Sequence, residues 1–189
     1  MHVVTGNPDR LLLALDEHLD HPVRLVIYGR SAVWLGFEGA DATVGRTRDV
    51  DGILSEADVN ALNEDIQFWD ARDAVHERFK EEGLYITHLF PATEVFLRRQ
   101  WLDEIVPVTR LNLKHLKLSR PATLDLILTK MMRGNDPQDM ADAKFMIAHD
   151  RITKMQLTEA FSQMNPIELV ELRDGFKRAQ PIVLAFACD

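Results

Sequence analysis

Apolar positions recur at two different periods along the chain, and the pattern changes near residue 120. Leu11, Leu12, Leu15 and Leu19 fall at helical spacing behind Asn7-Pro8, which reads as a helix cap followed by the first helical position. His21-Pro22 ends that helix. Val23–Tyr28 is a short, β-branched apolar run and reads as a buried strand. Gly29 breaks it, residues 31–37 read as a short helix, and Gly36, Gly39 and Gly45 flank a loop. Residues 48–54 (RDVDGIL) predict a second strand, in which Asp49 and Asp51 alternate with Val50 and so share one face. A helical pattern fills residues 55–82. Residues 85–90, 94–97, 105–108 and 113–118 read as further strands.

After Pro121 only the helical period remains. Residues 122–133 carry Leu124, Ile127, Leu128 and Met131 on one stripe. Gly134 ends that helix, and Asp136-Pro137, Thr153 and Asn165-Pro166 open three more. The chain is therefore expected to be an α/β (α+β) protein, with a mixed core over residues 1–120 and a helical subdomain over 121–189 packed on it.

Composition narrows this picture. With 189 residues and 46% hydrophobic content, the chain has material for a real core. The net charge of -8 argues against a dedicated DNA binder, which advertises a basic face. Cys188 is the only cysteine, which excludes an internal disulfide. The N-terminal residues lack the layout of a secretory signal, and no apolar run reaches the ~18 residues that span a bilayer. The expectation is a soluble cytoplasmic protein without membrane partners. Trp34, Trp69 and Trp101 are scattered and read as packing; Met131, Met132, Met140 and Met146 read as core filler.

The stretch from Leu25 to Leu54 carries the candidate chemistry: strand, Gly29-Arg30-Ser31, helix, loop, then Arg46-Thr47-Arg48-Asp49-Val50-Asp51. A glycine after a strand lets the backbone approach a ligand. A serine at the next helix start adds a hydroxyl to exposed N–H groups, which suits a phosphate. Two carboxylates on one strand face can share a divalent cation, and Mg²⁺ favours a couple of carboxylates plus substrate phosphate oxygens. Each residue also has a plainer use: Ser31 as a helix cap, Arg46 and Arg48 as surface charges, Asp139 and Asp142 as first-turn or surface acids, and Lys130 as a side chain that snorkels.

This layout resembles the nucleotidyltransferases of the polymerase-β-like superfamily, with their strand–Gly–Ser–helix unit followed by Asp-x-Asp. It is most similar to the small bacterial nucleotidyltransferases of unknown function related to abortive-infection toxins. Lys130 and Arg133 on one helix, followed by Asp139 and Asp142 on the next, extend the likeness over residues 23–148. The resemblance implies a minimal mixed sheet flanked by helices, which transfers an NMP from an NTP to an acceptor hydroxyl. Asp49 and Asp51 would bind Mg²⁺ or Mn²⁺. Gly29, Arg30, Ser31, Thr47 and Arg48 would meet the nucleotide, together with Arg46. Lys130 would reach phosphate, and Asp139 or Asp142 would support the site. A toxin-like setting implies a cognate antitoxin; the acceptor is a protein, a tRNA or a small molecule.

Two departures stand out. Arg30 replaces the second small residue of the turn, where it crowds a phosphate or pairs with one. The strand that would carry a third acid has His88 at its centre. His88 either serves as a base, with an ordinary pKa near neutrality, or marks a lost ligand. Glu94 or Glu104 would then supply the acid from a nearby hairpin. The alternative reading is a catalytically impaired protein of the same fold that binds nucleotide or a protein partner.

Overall fold

The computed structural model describes residues 5–165 and 168–188, with His88 described by its backbone only. The chain is a mixed α+β protein with two compact units, one formed by Met1–Pro91 and Val106–Arg120, the other by Ala92–Ile105 and Pro121–Asp189. Among the described residues, no helix is long and apolar enough to cross a membrane.

The first unit holds α1 (Asn7–His18), β1 (Val23–Tyr28), α2 (Gly29–Gly36), β2 (Asp49–Leu54), α3 (Glu56–Asn63), α4 (Ile66–Phe79), β3 (Tyr85–Pro91), β4 (Val106–Pro107) and β5 (Leu116–Arg120). The five strands form one mixed sheet in the order β3-β2-β1-β5-β4. β1 runs antiparallel to β2 and parallel to β5, and β2 runs parallel to β3. Directly paired residues share a sheet face. One face carries Val23, Leu25, Ile27, Val50, Leu116 and Leu118, all buried. On the other, Tyr28 pairs with Asp51, so both acids of β2 stand on the face opposite that apolar set. The period-two alternation of RDVDGIL produces this split directly.

One detail of this unit corrects the sequence reading, and another adds to it. Gly6, not Asn7, caps α1, and its N–H donates to Oδ2 of Asp9 at 2.8 Å. The Asn7 side chain instead donates to the carbonyls of Arg46 and Thr47, at 3.4 and 3.1 Å. The ladder of β2 and β3 also slips. Val50 faces Ile86, but Gly52 faces Leu89, so two residues of β3 span the place of Asp51. This is a β-bulge, which locally re-aims side chains.

The second unit contains α5 (Thr123–Lys130), α6 (Pro137–Asp150), α7 (Lys154–Gln163) and α8 (Val170–Ala185). Asp136 caps α6 as its sequence position predicts, accepting from the N–H groups of Gln138 and Asp139. The helix opening expected at Asn165-Pro166 falls partly outside the described residues, because Pro166 is not among them; α8 is described from Val170. Residues 94–97, expected as a strand, form the end of a 3-10 turn (Ala92–Glu94), a bend at Val95 and two residues outside any helix or strand. Val95, Phe96 and Leu97 are all buried within this unit. Its backbone ties run to residues 163–165, through the N–H of Asn165 on the Leu97 carbonyl at 2.9 Å and the N–H of Arg99 on Gln163. Segment 92–105 thus belongs with the helices and not with the sheet.

Candidate functional site

The site is built where β1 ends. Tyr28 closes the strand in register with Asp51, and Gly29 then turns the chain into α2 with a φ of 65°. That left-handed backbone suits glycine. The lack of a side chain also matters, because a Cβ on Gly29 would lie 3.3 Å from Oδ2 of Asp51. The start of α2 therefore comes up directly beside one carboxylate oxygen of β2. Tyr28 precedes α2 without a side-chain cap bond of its own, so the positive end of the helix dipole lies at this turn.

Ser31 does not display its hydroxyl there. It is 1% exposed and donates to the Tyr28 carbonyl at 2.8 Å, which braces the turn.

Both aspartates are half-buried, and each accepts a threonine hydroxyl. Thr47 Oγ1 donates to Oδ1 of Asp49 at 2.6 Å, and Thr87 Oγ1 donates to Oδ1 of Asp51. Thr47, expected at a phosphate, is thus spent on a carboxylate. Arg46 and Arg48 are exposed on either side of it. Arg30 and Arg46 both act on Asp41 in the preceding loop. The hydroxyl and N–H of Thr43 chiefly hold that carboxyl below its usual range, and the two arginines add to the effect.

The loop that delivers Thr47 is fixed from behind. The Trp34 ring fills the space beside Gly6 and Gly45, where a Cβ would come within 2.6 and 2.8 Å of ring atoms. Its indole N–H donates to Oδ2 of buried Asp9 at 2.5 Å, and the Arg110 guanidinium lies 4.2 Å from the ring centroid. Arg110 also donates to the Trp34 carbonyl at 2.8 Å and pairs with Oδ1 of Asp9 at 3.7 Å. The sequence does not single Asp9 out, because two of its partners come from α2 and from residue 110.

The side chain of His88 lies outside the described residues, so its expected role as base or lost ligand is not placed. Among the described residues, no group of three or more His, Cys, Asp or Glu stands where it could hold a metal ion. The donor set at β2 is two carboxylates. That fits one Mg²⁺, which is commonly held by one or two carboxylates and completed by water and phosphate oxygens. Glu104, one of the two expected substitutes for a third acid, belongs to the helical unit and accepts from Arg98 Nη2 at 2.7 Å. Glu94, the other, also lies in that unit.

Lys130, Asp139 and Asp142 are brought together, but with one another. Lys130 is 5% exposed and both acids are 4% exposed. Its ammonium donates to Asp139 Oδ1 at 3.1 Å and Asp142 Oδ2 at 2.7 Å, and Arg133 Nε takes the second Asp139 oxygen at 2.6 Å. This cluster ties α5 to α6 inside the second unit.

Comparison with known proteins adds no relative to this geometry: no family model, curated protein or solved structure matches the chain.

Proposed function

We propose that the chain is a nucleotidyltransferase that moves a nucleoside monophosphate from an NTP to an acceptor hydroxyl. The observation that carries the reading is the meeting of the Gly29 turn with Asp51: a helix start beside one of two carboxylates that share a strand face. Backbone N–H groups at a helix start bind phosphate, and two acids hold a divalent cation against it. When bound, the cation neutralises charge on the phosphates and on the departing pyrophosphate. The chain's own residues supply position. Asp49 and Asp51 define one side of the phosphate site, the first turn of α2 another, and exposed Arg46 and Arg48 add positive charge at its approach. In the transfer the acceptor oxygen bonds to the α-phosphorus, the bond to the β-phosphate oxygen breaks, and the hydroxyl proton leaves to a base or to water. The acceptor class is a protein side chain, a tRNA end or a small molecule, and a toxin-like role with an antitoxin partner belongs to the same reading.

The second reading is nucleotide binding without turnover, because Arg30 stands where the resembling turn has a small residue and would crowd a phosphate. One experiment separates the two. The chain is incubated with each labelled NTP, Mg²⁺ and a cell extract, beside Asp51→Ala. Label transferred by the wild type and lost in the variant supports the enzyme. Nucleotide retained by the wild type with no labelled acceptor supports binding alone.

A further inference from the structure

We propose that Thr87 is a positioning residue for Asp51, and that the bulge in β3 serves to place it. The inference rests on the reading of Asp49 and Asp51 as a metal-holding pair.

In a regular ladder one residue of β3 would face Asp51. Here the interval between the Val50–Ile86 and Gly52–Leu89 pairs contains one residue of β2 and two of β3, Thr87 and His88. Bulges of this kind gather beside functional sites because they aim a side chain where the regular pleat would not. The result is a hydroxyl against a carboxylate. Thr87 Oγ1 donates to Asp51 Oδ1, and it also lies 3.2 Å from the Val50 carbonyl. A hydroxyl has one hydrogen, and the ionised acceptor holds it more strongly than the neutral one. Thr87 is β-branched and stiff at χ1, so the contact restrains the carboxylate instead of following it.

The bond also distinguishes the two oxygens of Asp51. Oδ1 is turned to Thr87, whereas Oδ2 lies at the Gly29 turn, where a Cβ would be 3.3 Å away. The oxygen not held by Thr87 is thus the one that meets the start of α2, where a phosphate with its cation would sit. Thr47 restrains Asp49 in the same manner from the preceding loop, through Oδ1 at 2.6 Å. Two hydroxyls from two different elements fix both acids before any ligand arrives. Neighbours that orient metal ligands in this way typically contribute 10–100-fold to metal affinity.

The test is Mn²⁺ titration by calorimetry on the full chain, with Mg²⁺ competition and melting temperatures recorded for each variant. Thr87→Val, which keeps the shape and removes the hydroxyl, is expected to weaken Mn²⁺ binding at least tenfold. Thr87→Ser is expected to stay within about threefold of the wild type, since it restores the donor. Thr87→Ala provides the same comparison should the valine variant fold poorly. Affinity unchanged in folded Thr87→Val or Thr87→Ala, while Asp51→Ala abolishes binding, overturns the role of Thr87 and leaves the metal reading intact. A wild type that binds no Mn²⁺ overturns both. Loss of affinity in Thr87→Ser as deep as in Thr87→Val also overturns the proposal, because the hydroxyl is then not what matters.

Discussion

Gly29 and Asp51 approach so closely that a Cβ on the glycine would stand 3.3 Å from the aspartate Oδ2, at a backbone φ of 65°. The two constraints act together. A side chain at 29 would be strained by its backbone and would press on the carboxylate. Gly29→Ala is expected to cost about 1–2 kcal/mol from the left-handed conformation alone, seen as a melting temperature lower by roughly 2–8 °C. It should also weaken Mn²⁺ binding, because the added methyl group meets Asp51. A variant as stable as the wild type and equal in Mn²⁺ affinity would show that the turn is not tightly built.

Lys130 separates two uses of a buried lysine. If its work is the ion cluster with Asp139 and Asp142, Lys130→Ala removes a shared cation from two buried acids and costs about 3–5 kcal/mol in urea unfolding. Adding Asp142→Asn should recover part of that loss, since one charge of the cluster goes with the lysine. A variant of undiminished stability that has lost nucleotide affinity would reverse the assignment and put the ammonium on phosphate.

Asp16 ties the end of α1 to the entry of β5. Its carboxylate accepts the N–H groups of Lys114, His115 and Leu116 at 2.7, 2.8 and 2.7 Å. Burial pushes its pKa up, but the three backbone donors outweigh this and hold the carboxyl below the usual range. A depressed folded pKa stabilises the native state above the unfolded carboxyl pKa of about 4, and the benefit is lost as pH falls through the lower folded value. Asp16→Asn is expected to lose about 1–3 kcal/mol at neutral pH. Its stability should fall less steeply in acid than that of the wild type. Parallel pH–stability curves would show that the three donors bind no more tightly to the ionised form.

His21 works in the opposite sense. Its ring nitrogens lie 2.8 Å from Asp20 Oδ1 and 2.8 Å from Asp65 Oδ2, and Asp65 caps α4. The hydrogen bond to Asp20, and then that to Asp65, raises the imidazole pKa. A raised folded pKa stabilises the native state below the ordinary histidine value of about 6.5, and the benefit disappears as pH rises through the higher folded value. His21→Gln should therefore melt below the wild type at pH 5.5, with the gap closing by pH 9. An equal gap at both values would rule out the protonated ring as its source.

Local pattern carried much of this fold. Val23–Tyr28 was legible from its β-branched apolar run, and Asp49–Leu54 from alternation, because both depend on which side chains face a core. The cap at Asp136 was legible from the Asp-Pro pair. The stretch 94–97 was misread because a continuous apolar run looks the same whether it enters a ladder or is buried among helices. Here Leu97 and Arg99 find backbone partners at residues 163–165. The candidate site divides in the same way. The Asp pair and the glycine turn could be read from spacing, since strand and turn geometry put them there. The bulge at Thr87–His88 leaves no composition signal, and Thr87 gains its meaning only from a register between strands about 35 residues apart, as the 36-residue separation of Thr87 and Asp51 reflects.

The passage of the chain out of the sheet unit after Pro91 and back at Val106 makes neither unit a single stretch of gene. Asp16 must wait for partners 98 to 100 residues further on, so a chain emerging from the ribosome cannot close its first unit before β5 appears. By then residues 92–105 are already out, while the helices that receive them are not yet made. Arg98 shows what is at stake. Its guanidinium and its N–H both bind Asp125, which is fully buried. A stop codon after Arg120 would leave that arginine without Asp125, and a start at Pro121 would leave Asp125 without its arginine. No single cut anywhere along the chain leaves both units whole.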